Sequence, residues 1–499
     1  MKKYLSIFIV ITLIPLLFLL LVNNNDKNNN PEITKKNFPY LKNNSFYIND
    51  SAFYPIAINC VITMQANQTD VWASSYEGYT PNGKHRFLSK DSSLMELKSE
   101  MALIKKMGFN TIRIVRIGEI NIENEQTKNI SFGVKVRNEK DSTIMLWNEE
   151  NYTKYFNALS ELFSIADSAG LKMIFLTRML VDVQTTEEHL KKLVTKFKNE
   201  KSILAYDFFN EPLYFDLEER DKEYVHQTVK RWNKIVKDIA PYQLTTIGLA
   251  GIREIFEWDP NVLDVDFISL HPYEYEPEQV RNEFYWYGKY IKKPWIVGET
   301  AISADNDSIS YESQKQFAIK TINQAYNCGA AGYSWWQYKD VDWKLFHANF
   351  MGVLNWNGET SVGEKMIPVK GSIKPVAEVF QSFNSSKKKE ECICFDNYYN
   401  YSNGDKCRII GKLIDEKGNP IEGGLVLAWN EWWSSSYHTI SKQDGSFELL
   451  GTFPFYHWMA SATYKSRVRG ELKPDTAKTN THKIPTMNIG NINLNKLKF

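Results

Sequence analysis

The chain has 499 residues, too many for one average domain and about right for a β/α barrel with an appendage. Lys and Arg number 60 against 59 Asp and Glu, a formal net charge of +1, which argues against a polyanion such as nucleic acid as partner. Aromatic residues make up 14%, which suits stacking on the flat apolar faces of sugars and equally a large aromatic core.

Lys2 and Lys3 precede an apolar run from Tyr4 to Val22, and an Asn-rich stretch follows from Asn23 to Asn30. A basic start ahead of a long apolar run is an export signal. The run is near bilayer length and no small-x-small cleavage pattern follows it, so a cleaved signal and an uncleaved anchor both stay open. No Cys stands near its end, so the usual lipoprotein acceptor is missing. The positive residues should stay inside, placing the rest of the chain outside: periplasmic, at the cell surface or secreted. Residues 1–22 are read as signal or anchor, and 23–45, rich in Asn, Lys and Pro, as a linker.

From Tyr54 onward, apolar strand-like runs alternate with amphipathic helices. The pattern predicts strands at Tyr54–Asn59, Thr111–Val115, Lys172–Leu176, Ala205–Phe209, Thr245–Leu249, Phe267–Leu270, Trp295–Val297 and Gly332–Trp335. Helices are predicted at Leu94–Met107, Tyr152–Ala169, Glu187–Phe197, Glu223–Ala240, Ser313–Asn327 and Ile373–Phe383. Gly108 and Gly170 stand where a helix stops and a strand follows. Eight such alternations predict an α/β fold, a (β/α)8 TIM barrel over residues 46–385. A doubly wound open sheet would also alternate, but the Gly-rich phosphate turn expected after its first strand is missing. Two long βα loops, Val61 to Ser92 with Trp72, Tyr76 and Tyr79, and Ile117 to Asn148 with Trp147, are expected to wall a cleft on the active face.

After Phe383 the composition shifts. Ser385–Lys389 reads as a charged linker, and short β-like runs follow at Arg408–Ile414, Leu425–Trp429, Tyr437–Ser441 and Ser446–Leu450, separated by turn signals. Residues 386–499 are expected to form a small all-β sandwich. The run Ile410-Gly411, Gly418-Asn419-Pro420-Ile421 and Asp444-Gly445-Ser446-Phe447 resembles carboxypeptidase regulatory-like (transthyretin-like) domains, which implies a spacer or docking module. Trp429, Trp432, Trp433 and Trp458 offer a second reading, a sugar-stacking platform. Of the five cysteines, Cys60 and Cys328 are expected as buried thiols, while Cys407 is a candidate partner for Cys392 or Cys394 in an oxidising compartment.

Two glutamates carry the chemistry. Tyr206-Asp207-Phe208-Phe209-Asn210-Glu211-Pro212 and Pro294-Trp295-Ile296-Val297-Gly298-Glu299-Thr300 each end a buried apolar run on a carboxyl group. Such a group is costly unless it is paired, wet or working. At the ends of the fourth and seventh barrel strands, the two can meet across the barrel mouth as the paired acids of a glycosidase.

These residues resemble the retaining barrel hydrolases of clan A, and glycoside hydrolase family 5, with its cellulases and mannanases, in particular. The resemblance covers about residues 50 to 385. It implies Glu211 as acid/base and Glu299 as nucleophile. It further implies substrate-binding roles for Arg113 on the second strand, for Asn210 facing the sugar 2-hydroxyl, and for His271 and Tyr273 of the His-x-Tyr run. It implies a floor for the cleaved sugar at Trp335 or Trp336, which alternation puts on opposite faces. Asp207 reads as structural. One departure is the run Phe175-Leu176-Thr177-Arg178-Met179, which has no His where many members carry one.

The expectation is an exported, monomeric retaining glycosidase that needs no metal or organic cofactor. Its substrate would be a β-linked polysaccharide or oligosaccharide, β-mannan or β-glucan foremost. Membrane anchoring through the N-terminal run stays open. Transglycosylation on the same scaffold and a non-catalytic carbohydrate-binding surface protein are the alternatives.

Overall fold

Eight apolar runs form a closed parallel barrel. In chain order its strands are β4 (Ile56–Ala66), β6 (Thr111–Val115), β9 (Lys172–Leu176), β10 (Ile203–Asn210), β11 (Leu244–Leu249), β12 (Ile268–Leu270), β13 (Trp295–Val297) and β14 (Gly332–Trp335). Each pairs in parallel with the next, and β14 pairs with β4 to close the ring. The structure is a computed structural model and describes residues 37–67, 69–75, 88–115, 117, 119–122, 129–131, 149–177, 184–212, 222–258, 260–274, 277–341, 349–395, 407–431, 436–463, 466–472 and 486–494. The strands read as unbroken apolar runs because a barrel strand is covered on both faces; Thr111–Val115 is buried at all five positions.

The helices of the outer ring are α1 (Lys90–Lys106), α2 (Glu149–Ser168), α3 (Gln184–Phe197), α4 (Lys222–Ile239), α5 (Gly251–Trp258), α6 (Gln279–Tyr290), α7 (Tyr311–Asn327) and α8 (Ala377–Ser382). Local chemistry sets their ends. Ser89 caps α1 by accepting from the Ser92 amide, with Asp91 in the first turn and Lys105 and Lys106 in the last, each placed to suit the helix dipole. Gly108 follows at φ +93°, a conformation that L side chains avoid, and a Cβ there would meet the Gln381 backbone at 2.4 Å. The predicted strands and helices thus match in kind and differ by a few residues at their ends.

Three features depart from the sequence reading. Residues 40–53, partly assigned to a linker, form a three-stranded antiparallel sheet of β1 (Tyr40–Lys42), β2 (Ser45–Ile48) and β3 (Ser51–Phe53). Its Phe46 plugs the N-terminal end of the barrel against Ile174, Leu204, Leu244, Phe267 and Ile296. The supposed loop from Val61 begins as β-structure: β4 runs on past the barrel and turns back as β5 (Val71–Ser75). On it Trp72 is buried, its indole donating to Ser93 Oγ at 3.1 Å, so it does not wall a cleft. Tyr76, Tyr79 and Trp147 lie outside the described residues. Finally, Cys328 is not a thiol but is joined to Cys392 by a disulfide. Cys60, Cys394 and Cys407 have no disulfide, so Cys407 pairs with neither Cys392 nor Cys394.

That disulfide lies in a strap. Residues 384–395 run back along α7, where Tyr326 donates its hydroxyl to the Ser385 and Lys387 carbonyls and Gln324 donates to the Ile393 carbonyl. Beyond the strap come two small sheets. One orders β20 (Ser446–Gly451), β17 (Cys407–Ile414) and β23 (Thr486–Asn493). The other orders β19 (Ser436–Ile440), β18 (Leu425–Trp429), β21 (His457–Thr463) and β22 (Ser466–Glu471). They share a core of Ile409, Leu413, Val426, Ala428, Phe447, Leu449 and Trp458.

Alternation along β18 gives it two jobs. Val426 and Ala428 face the sandwich core, while Leu425, Leu427 and Trp429 join the core of the barrel. The landing site is α6, where the Trp286 indole donates to the Gly423 carbonyl at 3.2 Å. Burial of Trp429 and Trp458 removes both from any sugar-stacking platform; Trp432 and Trp433 lie outside the described residues. Among the described residues no helix is long and apolar enough to cross a membrane. The apolar run at 4–22 falls outside them.

Candidate active site

The carboxyl ends of the barrel strands converge on Arg113 of β6. Its guanidinium is fully buried and makes four hydrogen bonds: Nε donates to Asp207 Oδ2 at 2.8 Å, one terminal nitrogen to Asn59 Oδ1 at 3.0 Å and Glu299 Oε1 at 2.5 Å, and the other to Asn210 Oδ1 at 2.7 Å. A planar fork of donors suits this task, since one cation orients four groups from three other segments of the barrel.

Two local irregularities aim the acids. Asp207 and Asn210 are three residues apart and would face opposite ways on a regular strand. The ladder from β10 to β11 shifts register between them, and this bulge lets both reach Arg113. The next residue, Glu211, has φ +48°, a strained conformation for a side chain with a Cβ, held by its amide donating to the Gly248 carbonyl at 2.9 Å. Strained backbone of this kind concentrates at working sites.

His271 sits between the acids. Its Nδ1 shares a 2.9 Å hydrogen bond with Glu211 Oε1 and lies 3.6 Å from Glu299 Oε1. Its ring occupies space that side chains at Gly298 and Gly248 would fill: a Cβ on Gly298 would meet its Nε2 at 2.7 Å, and one on Gly248 its Cε1 at 2.6 Å. Tyr273, exposed on one side, donates to Glu299 Oε2 at 3.2 Å. One oxygen each from Glu211 and Glu299 and one nitrogen of His271 lie within 4.8 Å of one another. That donor set is of metal-binding type, but Arg113 and Tyr273 already engage both Glu299 oxygens.

The environments of the two acids differ. Burial raises Glu211 to about 7, with Arg113 pulling the other way. Burial also raises Glu299, with His271 and Arg113 opposing the rise. Burial drops His271 to about 4, so its imidazole is neutral near pH 7. Burial followed by the Glu299 charge pushes the Tyr273 phenol well up, keeping it a donor.

The structure separates the adjacent tryptophans. Trp335 is completely buried, edge-on to Phe317 of α7 and tilted against Phe380 of α8, with its indole donating to the Met351 carbonyl at 2.9 Å. It belongs to the barrel–helix interface and cannot touch a sugar. Trp336 is half-buried just past the strand, its amide donating to the Thr300 carbonyl beside Glu299. Asp207 is structural, as read. Arg178 and Met179 lie outside the described residues, and Thr177 is buried with its hydroxyl on the Asp207 carbonyl.

Sequence reasoning missed Asn59. Besides accepting from Arg113, it donates to the Gly298 and Trp335 carbonyls, stitching β4 to β13 and β14. Its signal was available: a polar residue interrupting the apolar run Ile56-Ala57-Ile58, like the two glutamates.

A family model for the cellulases of glycosyl hydrolase family 5 matches residues 77–339, more than half of the chain. The chain belongs to glycosyl hydrolase family 5. Among solved structures, this family 5 protein is similar to the β-D-glucuronidase of Dictyoglomus thermophilum at 14% identity and TM-score 0.43, with 70% of this chain and 54% of that one covered. It is similar to a family 2 β-galacturonidase from Eisenbergiella tayi bound to galacturonate at 16% identity and TM-score 0.42, covering 69% and 53%. It is also similar to a family 5 protein from Streptomyces cattleya in complex with Manβ1-4GlcNAc at 12% identity and TM-score 0.44, covering 65% and 80%. The chain spans about half the length of the first two, and likenesses this slight carry no argument about substrate. No curated protein sequence matches it.

Proposed function

We propose that this family 5 glycoside hydrolase is a retaining β-glycosidase, with Glu299 as nucleophile and Glu211 as acid/base. The observation that carries the reading is the pair itself: oxygens of Glu211 and Glu299 within 4.8 Å, with the buried Arg113 cation paired directly to Glu299. Retaining enzymes hold their carboxyls about 5 Å apart, whereas inverting ones need room for a water between them.

In the first step Glu299 attacks the anomeric carbon while Glu211 gives its proton to the leaving oxygen, and the glycosidic bond breaks. A sugar ester on Glu299 results. Forming it removes the Glu299 charge, which lowers the affinity of Glu211 for a proton. Glu211 then takes a proton from water, whose oxygen attacks the same carbon and releases Glu299. Arg113 holds the nucleophile ionised and fixes the Asn210 amide: with Oδ1 taken, Nδ2 is the group left to donate to a sugar hydroxyl. Trp336 offers the flat face on which a sugar ring stacks.

A β-linked polysaccharide or oligosaccharide is the proposed substrate, β-mannan or β-glucan foremost. Export is supported by the basic start and apolar run at residues 2–22 and by the Cys328–Cys392 disulfide, which persists in oxidising compartments. The deciding experiment measures reducing-sugar release by wild type and Glu299→Gln over β-glucans, β-mannans and xylans. Release that vanishes in the variant supports the reading. Equal release from both proteins overturns it.

A further inference from the structure

A second pair of buried carboxyls lies at the seam between barrel and sandwich. Glu274 follows Tyr273 on the loop after β12, Glu283 lies on α6, and His438 comes from β19 of the sandwich. Glu283 is completely buried and His438 nearly so, while Glu274 is mostly covered. One oxygen of each acid and one imidazole nitrogen lie within 4.8 Å of one another.

Charge makes this cluster unusual. Glu283 Oε2 accepts from the Tyr287 hydroxyl, but its other oxygen, Oε1, receives no hydrogen bond although it is shielded from water. Among the described residues no Lys or Arg pairs with either glutamate. Two carboxylates in contact and out of water are strongly unfavourable unless a proton or a cation stands between them. Burial, then the Glu283 charge, pushes Glu274 well above the usual carboxyl range. A neutral imidazole can ligate a metal through either ring nitrogen.

The spacing suits a metal. His438 Nδ1 stands 3.7 Å from Glu274 Oε1, long for a hydrogen bond. Donors on a tetrahedral ion with bonds near 2.1 Å lie about 3.4 Å apart. Two carboxylates balance a divalent charge, and the single imidazole favours a first-row transition metal over Mg2+ or Ca2+, which prefer all-oxygen shells. The Tyr287 hydroxyl on Glu283 is the kind of outer partner that orients a ligating carboxylate.

We propose that Glu274, Glu283 and His438 bind one divalent transition-metal ion, with Zn2+ as the type, and that the ion pins the sandwich to the loop carrying Tyr273. The test uses the full chain without a His tag, stripped with chelator and titrated with Zn2+ by calorimetry and thermal unfolding. Expected are one tight equivalent, a raised unfolding midpoint, and visible absorption of tetrahedral type when Co2+ replaces Zn2+. Glu283→Gln and His438→Ala should each lose that equivalent, while Glu299→Gln, which disrupts the other His/Glu cluster, should keep it. Absence of binding to wild type would overturn the proposal, leaving a proton shared between the carboxyls. An equivalent lost in Glu299→Gln but kept in Glu283→Gln would overturn it too, placing the metal in the barrel mouth. The wild-type titration decides even if a seam variant fails to fold.

Discussion

The barrel mouth and the domain seam are built from the same three residue types, two glutamates and a histidine, and differ in one component. In the mouth, Arg113 places a fixed cation against Glu299, and its charge also pulls against the burial that raises Glu211 to about 7. Burial raises both acids, and the direct ion pair with Arg113 favours the ionised form of Glu299, as a nucleophile requires. At the seam, among the described residues, no Lys or Arg pairs with Glu274 or Glu283, and burial raises both. Identical ligand chemistry yields a proton-transfer site in one place and a cation-seeking site in the other.

The largest effect is expected at the nucleophile. Glu299→Ala should lower kcat by on the order of 10^4-fold or more with the fold intact. External azide should restore part of the turnover and give a product of inverted configuration. An intact fold that azide does not rescue would count against Glu299 as the attacking group.

Next comes the cation that separates the two sites. Arg113→Met strands the buried Asp207 and Glu299 carboxylates, so stability should drop by about 3–5 kcal/mol in denaturant titration. A loss well under 1 kcal/mol would show that the carboxyls find other compensation.

Trp335→Ala opens a cavity against Phe317 and Phe380 and should cost about 3–5 kcal/mol of stability. Trp336→Ala should leave the unfolding midpoint nearly unchanged and raise KM, by roughly tenfold for a lost stacking contact. If the two variants exchange these phenotypes, the assignment of their faces is wrong.

The subtlest test is pH. Glu211 must carry its proton in the first step, so kcat/KM should decline as pH rises through about 7. At low pH the decline should follow protonation of Glu299. Because the folded state holds the Glu211 proton more tightly than the unfolded chain does, this group also costs stability as pH rises from 4.5 to about 7. An upper limb unchanged in Glu211→Gln would remove Glu211 as its source.

Truncation tests the seam. Sequence reasoning treats the tail as a separable appendage, but Leu425, Leu427 and Trp429 pack into the core of the barrel. Cutting after residue 385 should therefore expose the Trp286 face of α6, and lowered solubility or unfolding temperature of the truncated barrel would show it. A truncated barrel as stable as the full chain would show that the contact contributes little.

The barrel and the identity of its two acids were legible in the chain alone. Eight apolar runs of strand length with helices between them admit few topologies, and a carboxyl ending a buried run has to be compensated or used. Both signals are local, because hydrophobic periodicity and the cost of burying a charge depend on near neighbours in the chain. Tertiary structure decided what depends on distant partners. Whether Trp335 or Trp336 faces the mouth rested on the aromatics of α7 and α8. Cys328 found Cys392 only because a strap folds back along its helix. Asn59 and Asp207 acquired roles from an arginine on another strand. The seam cluster brings a β-sandwich histidine to two barrel glutamates, and residues from separate domains share no local pattern that could announce it.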